Sequence, residues 1–151
     1  MPAMTDEEKL AIIATHAKTE RAKDWDAALA TMIDEPSYEY FPYRLRVSGE
    51  QAIRTMWERT LILPCLNYDT GRKVLGMERY VNEQSVVDMV QSTFVDETTG
   101  EQIYSTFLCI FHFDDDKIIR ESIFLDNTML PYFDQVFSDP EFLGLPGVEQ
   151  F

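Results

Sequence analysis

Cysteine and histidine are scarce in this chain: Cys65, Cys109, His16 and His112 are all there are. None stands at a metal-like spacing, so a zinc site is not expected. Each cysteine is flanked by apolar neighbours, Pro64 and Leu66 for one, Leu108 and Ile110 for the other. Both read as reduced core side chains of a cytoplasmic protein. Basic residues are also in short supply, 13 Lys and Arg against 27 Asp and Glu, for a net charge of −14. Such a chain repels phosphate backbones and anionic lipid surfaces, which argues against nucleic acid and membrane as partners. No apolar run approaches the ~20 residues of a membrane helix. The polar stretch from Met1 to Lys9 does not resemble a signal peptide. Dinucleotide fingerprint, phosphate loop and G-x-S-x-G elbow are all missing. Asp114, Asp115 and Asp116 lack calcium-loop spacing and read as a solvated turn. What remains is acid–base chemistry without a cofactor, or binding alone, in an apolar cavity.

The chain has 151 residues, 45% hydrophobic and 13% aromatic, enough for one domain with its own core. That domain is expected over residues 1–137, followed by an irregular tail, 138–151, with Pro140, Gly144, Pro146 and Gly147.

Thr5 and Glu8 form a capping-box pattern, and Leu10, Ile13, Ala14 and Ala17 continue it as a helix to about Ala22. Asp24 caps a second helix through Met32, which Pro36 ends. Tyr38 to Phe41 is a short strand broken by Pro42. Ser48 and Gln51 mark a third helix carrying Ala52, Ile53, Met56, Trp57 and Leu61. Strands are predicted over 73–81, 85–95, 102–113 and 117–125, joined by a hairpin loop at 96–100 and a tight turn at 114–116. Asp126 then caps a closing helix, 129–137.

Helices first and long consecutive strands after give an α+β fold. The strands are apolar on both faces: Phe107, Cys109, Phe111 and Phe113 on one, Leu108 and Ile110 on the other. The helices can cover one face. A second copy of the sheet would cover the other, so a homodimer is expected.

The segments Ala22-Lys23-Asp24-Trp25-Asp26, Ser48-Gly49-Glu50-Gln51-Ala52-Ile53, and Lys117 to Glu121 through Phe124-Leu125-Asp126 resemble the nuclear transport factor two-like superfamily. Its SnoaL-like and ketosteroid-isomerase-like branches are the most similar. The resemblance implies a cone-shaped (cystatin-like) curved antiparallel sheet wrapped around N-terminal helices, with one deep pocket and usually a dimer. Ketosteroid isomerases place a tyrosine donor where this chain has His16, an aspartate base where it has Tyr40, and a protonated aspartate near Cys109. All three differ. Scytalone dehydratase has a catalytic tyrosine matching Tyr40 and an aspartate matching Glu39, but its strand histidines have no counterpart. Many SnoaL-like chains carry a polar pocket residue at positions 121 or 123, here Glu121 and Ile123.

Three residues are therefore candidate catalysts. His16 is either a core histidine with one hydrogen bond or a group that titrates near neutral pH. Tyr40 either packs among Tyr38, Phe41 and Tyr43 or polarises a substrate oxygen. Glu121, sharing a strand face with Ile119, Ile123 and Leu125, is either ion-paired or a base of raised pKa. Trp57, Phe107, Cys109, Phe111, Ile123 and Leu125 are candidates to line the pocket. Arg44 and Arg46 could clamp a carboxylate or phenolate, or could simply be solvated. Asp88 faces either the pocket or, preferably, the dimer face with a basic partner. His112 points to the opposite, intersubunit face. The expected function is a cofactor-free lyase, isomerase, dehydratase or cyclase acting on an apolar, aromatic or polycyclic molecule. The alternative is a non-catalytic binding or assembly module, such as the small subunit of a ring-hydroxylating dioxygenase.

Overall fold

The computed structural model describes residues 3–151; Met1 and Pro2, part of the polar N-terminal stretch, lie outside it. Helix α1 (Asp6–Arg21) starts as its sequence predicts, with the Thr5–Glu8 capping box formed at both bonds. Its inward stripe is Lys9, Ile13, His16 and Glu20, spaced three and four residues apart. Asp24 caps α2 (Trp25–Ala30) by accepting from the Ala27 amide.

Here the structure departs from the sequence reading. Met32 does not close α2 but opens a ten-residue strand, β1 (Met32–Phe41). Pro36 lies within β1, where the ladder to its neighbour is interrupted between Met32 and Ser37. A proline without an N–H is tolerated at such a break. A second strand, β2 (Leu45–Ser48), was not legible in the sequence. Its last residue, Ser48, is no helix cap: its amide donates to the Gly147 carbonyl at 2.8 Å. Gly49, at φ +86°, leads instead into α3 (Glu50–Thr60) with no side-chain cap.

Strands β3 (Lys73–Val81), β4 (Ser85–Val95), β5 (Gln102–Asp114) and β6 (Lys117–Leu125) then follow as predicted. Asp126 does not cap α4 (Leu130–Phe137) directly. Its carboxylate accepts from the Thr128 amide and from Thr106 on β5, pinning the strand end.

The tail is ordered, contrary to the irregular reading. Pro140 and Gly144 bracket a short helix, α5 (Pro140–Leu143), as first-turn proline and C-cap, the positions these residues favour at helix ends. Phe142 is fully buried against Phe137. The chain then adds β7 (Val148–Gln150) to the edge of β2.

The sheet has seven strands in the order β3-β4-β5-β6-β1-β2-β7. It is curved, unclosed and antiparallel except where β1 runs parallel to β6. That parallel pair brings residues 38–41 of the first strand beside 121–124 of the last long one. The helices pack on the concave face. No helix among the described residues is long and apolar enough to cross a membrane.

Candidate active site

Alternation along the strands decides what faces the helices. Tyr38 and Tyr40 point to the concave side of β1, and Tyr38 stands directly opposite Glu121. Glu121 is in turn opposite Phe111 on β5, with Cys109 one step along the same face. A bulge between Ile118 and Arg120 leaves Ile119 without a partner. The residue sharing Glu121's buried face is therefore Ile118 and not Ile119.

Between this face and α1 lies a cavity of about 520 Å³, within the range of small-molecule sites. Nine of the ten site residues expected from sequence line it: His16, Tyr40, Trp57, Phe107, Cys109, Phe111, Glu121, Ile123 and Leu125. Arg44 does not. It sits at φ +53° in the turn between β1 and β2, exposed, with its guanidinium over Phe151. Arg46 belongs to the convex face, bonded to Glu39 and Glu149. Asp88 faces the cavity rather than the outer surface, held by Arg79 through bonds of 2.6 and 2.8 Å. His112 stands on the convex face as expected, 3.1 Å from the Ser122 hydroxyl.

The polar centre of the cavity converges on one atom, Nε2 of His16. It lies 3.0 Å from Glu121 Oε1, 3.2 Å from Glu20 Oε2 and 2.9 Å from the Tyr38 hydroxyl. Tyr38 also reaches both carboxylates at 3.2 Å. Cys109 donates its S–H to Glu121 Oε2 at 3.3 Å. On the far side of the ring, Nδ1 lies 2.7 Å from the Thr31 hydroxyl, which itself donates to the Ala28 carbonyl at 2.6 Å. Thr31 has then spent its proton, so Nδ1–H is the donor there. Nε2 therefore faces two carboxylates either with a proton or with a bare lone pair, and the carboxylates favour the proton.

The electrostatics follow from this crowding. Burial by itself lowers the pKa of His16, but the two carboxylates outweigh it and lift it to about 10. Burial also raises the Glu121 carboxyl above its ordinary value, and the imidazolium draws it only part of the way back. Both groups hold protons more tightly than they would in water. Burial, followed by the charge of Glu121, pushes the hydroxyls of Tyr38 and Tyr40 well up, so both are donors at any working pH.

Two members of this cluster were missed in the sequence. Glu20 carried a signal, its place four residues after His16 on one helix face. Tyr38 carried none, because its neighbour Glu121 is set by a parallel pairing that spans most of the domain. Tyr40, the tyrosine singled out, stacks beside Tyr38 with ring centroids 6.3 Å apart and makes no bond to the cluster. His16, Glu20 and Glu121 also form the group among the described residues whose donor atoms, within 4.8 Å of one another, could hold a metal ion.

Neither a family model nor a curated protein matches the sequence. Solved structures do match the fold. A chain described as a SnoaL-like polyketide cyclase from Jannaschia sp. CCS1 superposes with a TM-score of 0.67 at 12% identity, covering 93% of this chain and 100% of its own. The fold is NTF2-like. An NTF2-like protein from Burkholderia xenovorans LB400 gives 0.65 at 12% identity, covering 85% and 96%. A chain described as a ketosteroid isomerase from Kribbella flavida DSM 17836 gives 0.60 at 17%, covering 83% of each. At such identities the NTF2-like scaffold is what is shared, and the chemistry rests on this chain's own residues.

Proposed function

We propose that this NTF2-like protein is an acid–base enzyme that needs no cofactor and acts on an apolar small molecule bearing a carbonyl or hydroxyl group. The observation that carries the reading is the convergence of Glu121, His16, Glu20 and Tyr38 inside a largely aromatic and aliphatic cavity. In this reading Glu121, as carboxylate, takes a proton from the carbon beside the substrate carbonyl. The C–H electron pair becomes a C=C bond and the carbonyl π pair moves to the oxygen, which accepts a hydrogen bond from the Tyr40 hydroxyl. His16, cationic at neutral pH, is the acid and not the base. It returns a proton to carbon or to a departing hydroxide, giving isomerisation or dehydration. Cyclisation and isomerisation, the activities named for two of the structural neighbours, both lie within this scheme.

The test needs no knowledge of the natural substrate. 2-Tetralone, an apolar bicyclic ketone, is incubated in D2O and its α-hydrogen exchange is followed by NMR. The wild type should accelerate exchange, and Glu121→Gln should abolish the acceleration. No acceleration by wild type with this or other bicyclic ketones would leave a binding module as the reading.

The homodimer is a second part of the proposal. On the convex face Phe41 stacks on Phe124 at 4.5 Å, and the row continues through Leu108 and Met89. Tyr80, Tyr104 and Phe124 are exposed there by 58%, 65% and 38%. Light scattering of Phe124→Glu against wild type tests it: the dimer should dissociate.

A further inference from the structure

Arg72 is a charge without a counter-ion. It follows the short 3₁₀ turn Tyr68–Thr70, is 93% buried by a relative exposure of 7%, and lines the cavity. Its Nε is sealed from solvent and has no hydrogen-bond partner, and none of its nitrogens forms an ion pair among the described residues. The contrast with Arg79 is direct. That arginine lines the same cavity and is bonded twice to Asp88. The nearest support for Arg72 is aromatic: its guanidinium stands 4.7 Å from the Tyr68 ring centroid and 5.4 Å from that of Phe107. Arg21 stands over the same Tyr68 ring at 3.6 Å. Burial also lowers the pKa of Arg72 from its ordinary value, and the Arg21 charge adds to this.

A buried cation is normally paired, because desolvation of an unpaired charge is costly. The carboxylates deep in the cavity are already committed, Glu20 and Glu121 to His16 and Asp88 to Arg79. The wall therefore holds a fork of donors whose acceptor the chain does not supply. Its place relative to the acid–base cluster is set by β5. Phe107, under Arg72, and Cys109, bonded to Glu121, are successive residues on one face of that strand, roughly 7 Å apart along it. A one- or two-ring skeleton spans such a distance.

We propose that the cavity takes an apolar carboxylate. The ligand's acid group pairs with Arg72 at the Tyr68 end, its ring skeleton lies over Phe107, and its other end meets Glu121 and His16. This narrows the substrate class and rests on the acid–base reading for the identity of the reacting end. The recognition step itself is binding only, with no bond made or broken.

The experiment compares two probes of nearly equal shape, 2-naphthoate and 2-naphthamide, by calorimetry and by quenching of Trp57, which stands in the cavity wall. Wild type should bind the acid about ten-fold or more tightly than the amide, since a charged hydrogen-bonded pair replaces a neutral one. Arg72→Gln should bring the ratio close to one, and Arg72→Lys should keep part of it. Glu121→Gln should leave the preference intact while abolishing α-hydrogen exchange, so the two readings fail separately. Equal binding of acid and amide by wild type, a preference retained in Arg72→Gln, or no binding of either probe at millimolar concentration would overturn the proposal. If Arg72→Gln shows no cooperative melt, the wild-type ratio alone decides.

Discussion

The two sides of the sheet carry the same kinds of polar residue with opposite outcomes. Inside, Glu121 and His16 are bonded to each other, with a second carboxylate beside them, and both pKa values move up. Outside, next to Tyr38 on β1, Glu39 is held by Arg46 at 2.9 Å and Arg120 at 3.1 Å. Burial raises its pKa, but Arg46 and Arg120 overcome that and set it below the ordinary value. Burial and the charge of Arg120 lower His112 as well. The difference lies in the partners. A carboxylate facing two arginines has surrendered its proton for structural purposes. A carboxylate facing an imidazole and another carboxylate keeps a proton within reach, which is what a general acid–base site requires.

The largest effect is expected at Glu121. Glu121→Gln should lower turnover, or 2-tetralone exchange, by about 100-fold or more, the usual weight of a positioned acid–base group. Glu39→Gln on the other face should leave it within two-fold.

A second contrast is read in stability against pH by urea unfolding. His16 has a folded pKa of about 10 against 6.5 unfolded, so its contribution is complete below 6.5 and disappears as pH rises through 10. Glu39, depressed in the fold, contributes above its unfolded value of 4.5 and loses that as pH falls. His16→Gln should flatten the alkaline limb and Glu39→Gln the acid limb. At neutral pH the latter should cost about 1–3 kcal/mol, because it leaves two arginines short of a charged acceptor.

The smallest effect belongs to Arg44. Arg44→Ala should change stability by less than about 0.5 kcal/mol and leave 2-naphthoate binding unaltered, since the side chain is exposed and outside the cavity.

Period-two alternation and helix caps made most of this fold legible. The bounds of β3, β4 and β6 and the cap of α1 followed from them directly. Alternation also put Phe107, Cys109 and Phe111 on one face of β5, and Glu121, Ile123 and Leu125 on one face of β6, but missed the bulge that removes Ile119 from that face. What was lost depended on pairings between distant segments. β2 is four residues long and owes its form to β1 and β7 on either side. The tail's glycines and prolines mark helix ends and a close approach as readily as a loop: a Cβ on Gly147 would stand 2.2 Å from the Ser48 carbonyl. The resemblance to scytalone dehydratase points to Tyr40; Tyr38 shares its face, and only the register with β6 distinguishes the two. Arg72 had no pattern to betray it, because nothing local marks a cation whose partner is absent from the chain.

The concave cluster retains its proton at neutral pH, and the histidine ring resonances report it directly. In a titration of ¹³C,¹⁵N-histidine-labelled protein, His16 should remain protonated through pH 7 and release its proton only near pH 10. His112 should be neutral well before then, titrating below 6.5. A His16 ring already neutral at pH 7 would mean that the two carboxylates do not hold its proton.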